Sequence, residues 1–227
     1  MAPPRFRTAE IISRTARSAE VFDALKRDIM LGALAAGEAL TELDLAARFA
    51  CSQGPVREAL LQLQEEGLVL RQGHRGTRVS DCTIDEAVEM FRMRQSIECR
   101  GVARALRRPS GTLAAELTSL LALMEKAAAD DDEYHLADLD RDFHLRLFRD
   151  AGLPAIEPIL HRCLIHNHRF KISRFTGRRD LVATARRHLS ILDAVKRGDE
   201  AAAVGALGHH IATIVDLGPE VFAGPSR

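Results

Sequence analysis

Ser52-Gln53-Gly54-Pro55-Val56-Arg57-Glu58-Ala59-Leu60-Leu61-Gln62-Leu63-Gln64-Glu65-Glu66-Gly67 is the stretch that decides the fold. Serine at a helix N-cap, proline in the first turn where its missing N–H costs nothing, apolar residues at 56, 60 and 63, and a terminal glycine define a short amphipathic helix from Gly54 to Glu66. A second short helix, Glu42 to Phe49, precedes it. Thr41 caps that helix, and Thr41 with Asp44 resembles a capping box in which a shorter acid replaces Glu. Ala50-Cys51-Ser52 breaks the chain between the two. Further upstream, Val21, Phe22, Leu25, Ile29 and Met30 recur at spacings of three and four, giving a helix from Ser18 to Leu34 with Gly32 and Gly37 at its end. Residues 1–17 read as a loose arm. Downstream the period changes: Leu68 to Arg71 and Thr77 to Ser80 are β-type runs flanking Gln72-Gly73-His74-Arg75-Gly76, a connection suited to a hairpin. Three short helices with a tight turn before the third, then a small β-hairpin, make a winged helix-turn-helix over residues 1–80.

Residues 81–227 carry only helical periodicity. Thr83 to Leu106, Thr112 to about Ala129, Glu133 to Ala151, Pro154 to Phe175, Arg179 to Arg197 and Glu200 to Leu217 give about six helices. Pro109-Ser110-Gly111, Asp130-Asp131-Asp132, Gly152-Leu153-Pro154, Thr176-Gly177 and Gly198-Asp199 separate them. The expected architecture is mainly α, a winged helix followed by an all-helical bundle long enough for a core with an internal pocket.

Composition narrows the function classes. The 227 residues are 46% hydrophobic and 28% charged with a formal net charge of zero, an ordinary globular profile that excludes disorder and fibre. Residues 1–80 hold 11 Lys and Arg against 10 Asp and Glu, so bulk charge names no partner and a nucleic-acid reading rests on local placement. No apolar run reaches the roughly 18 to 20 residues of a membrane span, and Met1 to Arg7 has no apolar leader core, which gives a cytoplasmic location without a membrane partner as the expectation. Cys51, Cys82, Cys99 and Cys163 form no C-x-x-C pair and read as small, mostly buried hydrophobes.

Two constellations carry chemistry. In a helix-turn-helix the start of the second helix faces the major groove, which turns Gln53, Gly54 and Arg57 toward DNA while Val56, Leu60 and Leu63 pack inward. Gln can pair with adenine, and Arg with guanine or a phosphate. His74 and Arg75 at the wing tip are placed to reach a phosphate or the minor groove. A single solvated surface charge is the plainer alternative for Arg57. The second constellation is histidine: eight of nine follow residue 130. Asp140 and His144 are four apart on one helix face. His188 sits among Leu181, Leu192 and Val195, and His210 falls on the stripe Ala203, Leu207, Ile214 and Leu217, with His209 turned away. One carboxylate and three imidazoles could thus meet in the bundle core, where they suit zinc, nickel, manganese or iron. Ordinary hydrogen-bonded core histidines are the alternative. His161, His166 and His168 share a helix but span its faces, and read as surface or pocket-lining groups. G-x-S-x-G, P-loop, G-x-G-x-x-G and H-E-x-x-H motifs are absent.

Leu40-Thr41-Glu42, Leu45-Ala46, Phe49, Ser52 to Leu60, Leu63, Glu66-Gly67-Leu68-Val69 and Arg75 to Val79 together resemble the winged helix of GntR-type bacterial transcription regulators. The resemblance implies a DNA-facing set of Thr41, Ser52, Gln53, Gly54, Arg57, His74, Arg75 and Gly76. Many relatives have Ser-Arg where this chain has Ser52-Gln53, and some have Arg where Leu43 stands, so a relative's operator does not carry over. The bundle resembles the FCD ligand-binding domain of the FadR branch. Asp140-Arg141-Asp142-Phe143-His144 fits D-x-x-F-H, His188 to Asp199 fits the later His-to-Asp pattern, and His210 follows Asp199 by 11 residues. About six helices look more like the VanR-like subgroup than the seven-helix one. The resemblance implies a homodimeric repressor of a metabolic operon that binds a double-stranded DNA operator. It further implies a divalent metal held by Asp140, His144, His188 and His210, and a small carboxylic acid effector met by Arg94 of the Arg94-x-x-x-Glu98 pair. An intrahelical ion pair is the alternative for Arg94. A metal-dependent enzyme built on the same His/Asp site is the rival function, with no evident general base beside the ligands.

Overall fold

In a computed structural model the chain forms two compact units, residues 1–81 and 82–227. The structure describes residues 6–71, 76–174 and 179–213.

The first unit runs α1 (Phe6–Met30), β1 (Ala39–Leu40), α2 (Glu42–Arg48), α3 (Gln53–Glu65), β2 (Val69–Arg71) and β3 (Thr77–Val79). α1 starts at Phe6, so residues 6–17 are helix rather than a loose arm. No proline or glycine lies between Pro4 and Gly32 to interrupt them, and Ala, Arg and Glu favour helix. Val21, Leu25, Ile29, Val56, Leu60 and Leu63 are buried where α1 packs on α3. Thr41 caps α2 by accepting from the Asp44 N–H at 3.1 Å, and its hydroxyl donates to the Asp44 carboxylate at 2.5 Å. Ser52 occupies the N-cap of α3 in extended geometry without a side-chain cap bond. α3 ends in a Schellman arrangement: the Leu68 N–H reaches the Leu63 carbonyl at 2.8 Å and Gly67 takes φ +79°. The same arrangement ends α2, but there Ala50 takes φ +47°, a left-handed conformation that strains any residue with a Cβ. The hairpin is antiparallel, and a two-residue strand too short to show a period joins it, giving the order β1-β3-β2.

The second unit holds α4 (Ile84–Ala105), α5 (Leu113–Ala129), α6 (Glu133–Arg149), α7 (Glu157–Arg174), α8 (Leu181–Arg186), α9 (Leu189–Arg197) and α10 (Glu200–Ala212). A reciprocal capping box between Thr83 and Glu86 starts α4. Gly198 at φ +65° ends α9, and Asp199 then caps α10 through the Ala202 N–H at 2.9 Å. α4 packs on α7 and α10, and α5 on α6, around a core that includes Phe91, Leu117, Met124, Phe143, Leu192 and Leu207.

Seven helical segments stand among the described residues of this unit where the sequence suggests about six, which removes the helix-count argument for the VanR-like subgroup. The difference lies in Arg179 to Arg197, expected as one helix. It breaks at Arg187-His188, where no glycine or proline signals a stop, and both long-range and local side-chain bonds accompany the break. The Arg187 guanidinium donates to the Thr213 and His210 carbonyls, each at 2.9 Å, and the His188 ring Nδ1 lies 3.0 Å from the Ala185 carbonyl. All four cysteines are free; Cys163 is buried and Cys51, Cys82 and Cys99 are partly exposed, so the expectation of mostly buried hydrophobes holds in full for Cys163 and in part for the other three.

Candidate metal centre and nucleic-acid interface

In the first unit the structure leaves Thr41, Ser52, Gln53, Arg57 and Gly76 exposed and Gly54 half-buried. His74 and Arg75 lie outside the described residues. Val56 and Leu60 anchor the inner face of α3, so its opening turn presents Gln53 and Arg57 outward. Glu42 at the start of α2 holds Arg57: the guanidinium donates to the carboxylate from Nη2 at 2.7 Å and from Nε at 3.1 Å. Arg71 lies 3.6 Å from the same carboxylate. The hydrogen bond from Arg57 holds the Glu42 carboxyl below its ordinary range. Sequence reasoning gave no role to Glu42, because no local spacing joins residues on two different helices.

In the second unit the four expected ligands come together. Asp140 and His144 stand one turn apart on α6, His188 sits at the break before α9, and His210 lies on α10. One donor atom from each falls within a cluster spanning at most 4.8 Å, and all four residues are buried. The His188 Nε2 lies 3.1 Å from Asp140 Oδ1, and the His144 Nε2 3.7 Å from Asp140 Oδ2. The rings pack closely, with centroids 4.4 Å apart for His188 and His210 and 5.1 Å for His144 and His210.

The surroundings fix which atoms are left over. His144 Nδ1 sits 2.5 Å from Glu98 Oε2 on α4, and the other Glu98 oxygen accepts from Arg94 Nε at 2.5 Å. His188 Nδ1 faces the Ala185 carbonyl. Both rings thereby turn Nε2 toward Asp140, where those nitrogens and both nitrogens of His210 are buried without a hydrogen bond. Orphaned imidazole nitrogens around one carboxylate are what a divalent ion requires, and a carboxylate behind a ligating histidine fixes its ring and tautomer. The residues therefore fit such an ion. Electrostatics agree. Burial pushes the His210 imidazole well below its ordinary range, and burial likewise lowers His144 despite Glu98, so both are neutral donors at pH 7. Burial alone would raise the Asp140 carboxyl, but His168 and His188 beside it hold it well below the usual carboxylate range.

Two further groups belong to this chamber. Arg94 is wholly buried; its intrahelical pair with Glu98 uses Nε, and both terminal nitrogens lack a hydrogen bond. His168 on α7 sits 2.8 Å from Asp140 Oδ2, and burial pushes its imidazole down to about 4. Glu98 and His168 escaped sequence reasoning as supports of the ligands. The first was visible only as a partner of Arg94, and the second was one of three histidines on a helix whose buried face has no apolar stripe.

Comparison with known proteins places both units. Residues 17–79 match the family described as bacterial regulatory proteins, gntR family, and residues 89–213 match the FCD domain. The chain is 29% identical over 206 residues to a probable D-xylose utilization operon transcriptional repressor of Paenarthrobacter nicotinovorans, covering 90% of each. It is 27% identical over 199 residues to the HTH-type transcriptional repressor RspR of Escherichia coli K12, covering 86% of each. Among solved structures, a putative GntR transcriptional regulator from Rhodococcus sp. RHA1 superposes with a TM-score of 0.67 at 26% identity, over 88% of this chain and 98% of that one. McbR/YncC of E. coli shares the fold, with a TM-score of 0.70 at 23% identity over 86% of this chain and 93% of that one.

Proposed function

The chain belongs to the gntR family of bacterial regulatory proteins and carries an FCD domain, and from that premise we propose that it is a repressor whose hold on its operator is set by a small organic acid. It is a DNA-binding transcription regulator and not an enzyme. No helix among the described residues is long and apolar enough to cross a membrane, and the regulator acts in the cytoplasm. A homodimer places two copies of α3 on the half-sites of a pseudo-palindromic operator. Gln53 and Arg57 read base edges or phosphates, with Thr41, Ser52, Gly54 and Gly76 along the backbone and His74 and Arg75 at the wing. The two repressors described above support the sign of regulation.

The observation that carries the effector reading is the cluster of orphaned nitrogens around Asp140. Asp140, His144, His188 and His210 would hold zinc, nickel or manganese, and that ion would supply a Lewis-acid seat for a carboxylate. Glu98 orients His144. Arg94 turns its unbonded terminal nitrogens to the acid in fork geometry. The acid shifts operator affinity by its differential affinity for the two arrangements of the dimer, and operator DNA shifts acid affinity by the same factor.

The test is thermal unfolding of chelator-stripped protein before and after zinc, nickel or manganese, then with small carboxylic acids, alongside salt-dependent binding to the DNA upstream of its own gene. A rise with metal, a further rise with an acid, and an acid-dependent change in operator affinity are expected. An acid that binds tightly and leaves operator affinity unchanged refutes the regulatory reading, and a midpoint that no metal moves refutes the metal.

A further inference from the structure

The helix α7 is unusual in what it buries. His166, Asn167, His168 and Arg169 are consecutive and all nearly inaccessible, and both amide atoms of Asn167 lack a hydrogen bond among the described residues. A run of buried polar groups is costly unless something polar meets it. One turn beyond Asn167, on the same side of the helix, Lys171 lines a narrow, partly open cleft whose wall also includes Asp140, His168, Glu133, Arg179 and Thr184. The cleft therefore opens onto the carboxylate at the centre of the histidine cluster. Arg179 is held in it by an ion pair with Glu133. Lys171 forms no hydrogen bond or ion pair with any described residue. Burial, and then the like charge of Arg179, push its amine down to about 8, so it still carries its proton at neutral pH.

Charge in the chamber can be followed group by group. The carboxylates of Glu98, Asp140 and Glu133 offset Arg94, Lys171 and Arg179. Arg187, close by, spends its donors on the carbonyls at the end of α10. Those carbonyls are neutral, so the Arg187 charge stands uncompensated, and a divalent ion adds two more positive charges. A monocarboxylate offsets one of them.

We infer that Lys171 forms a second anion subsite in the cleft beside Asp140, and that the effector is a compact acid with two anionic groups, one held at the Arg94 and histidine end and the other by the Lys171 amine. This rests on the metal-and-acid reading of the chamber. Thr184 supplies a hydroxyl on the cleft wall, and the Lys171 stem with Leu136 and Ile172 lines the apolar flank against which a short carbon chain packs.

The experiment titrates zinc-loaded full-length protein with succinate and malate, and with butyrate and 2-hydroxybutyrate as their one-carboxylate counterparts. Each diacid should bind about tenfold or more tightly than its counterpart, the effect of one charge-assisted hydrogen bond. In Lys171→Met that preference should collapse toward unity, with monoacid affinity and the zinc-induced rise in midpoint both retained. Lys171→Arg should keep the preference. Wild-type protein that binds monoacids as well as diacids, or a Lys171→Met variant that keeps the preference, overturns the inference and leaves the acid reading standing. Zinc binding with no response to any of the four acids overturns both.

Discussion

Both units hold arginines against glutamates, at opposite extremes of solvation. In the winged helix the Arg57 and Glu42 side chains are 56% and 23% exposed; in the bundle those of Arg94 and Glu98 are 0% and 1% exposed. Water and salt screen the first pair, so Arg57 can exchange Glu42 for a phosphate or a base edge at little cost. The second pair has no water to fall back on. Breaking it strands a buried charge, and its value lies in holding His144 and Arg94 ready for something that arrives from outside. A regulator needs both kinds: a reading surface whose bonds exchange easily, and a sensing chamber whose bonds do not.

The largest test of this contrast is Glu98→Gln. It leaves Arg94 buried without a counter-charge, and should lower stability by about 3–5 kcal/mol in chemical denaturation. It should also weaken metal binding about 10- to 100-fold, because His144 loses the carboxylate that orients it. A cost no greater than that of an exposed pair would erase the distinction between the units. Next comes Arg57→Ala, expected to weaken operator binding about 10- to 100-fold and reduce the salt slope, with the unfolding midpoint unmoved. A drop in midpoint instead would make Arg57 a structural residue.

Acid sharpens the comparison from the other side. The His168 imidazole is held at about 4 against an ordinary 6.5, so the unfolded chain takes up its proton first as pH falls. Stability of the metal-free protein is therefore full above about pH 6.5 and declines toward pH 4, with His210 adding in the same direction. A midpoint flat across that window would mean that the imidazoles are not buried as described. The smallest effect belongs to the winged helix: Ala50→Gly relieves the left-handed turn after α2 and should raise stability by about 0.5–1 kcal/mol, read from the denaturation midpoint.

The sequence carries some of these features openly and hides others for physical reasons. Helix ends marked by a local residue were legible: Gly67, Gly198-Asp199 and Thr83 each act through bonds within a few positions of themselves. The spacing of Asp140 with His144, and the stripe through His210, placed the cluster because helical geometry alone sets which face a residue takes. The start of α1 at Phe6 went unread, since residues 6–17 carry no capping signal. The strand Ala39–Leu40 exists only by pairing with β3. Glu42, Glu98 and His168 matter through partners 15, 46 and 28 positions away, and no local pattern encodes such distances.

The break at Arg187-His188 has a consequence of its own. Residues 181–197 contain no glycine or proline, so the local chain favours one uninterrupted helix, and the bonds of its two central side chains accompany the interruption. The break is thus held by distant partners rather than encoded in the local chain. Arg187 latches it to the last carbonyls of α10, the helix that carries His210, and His188 sits in the cluster. An Arg187→Met chain that gains helical signal while losing metal would show the latch let go: the sensor would fail by fusing two helices into one, with every ligand residue still present.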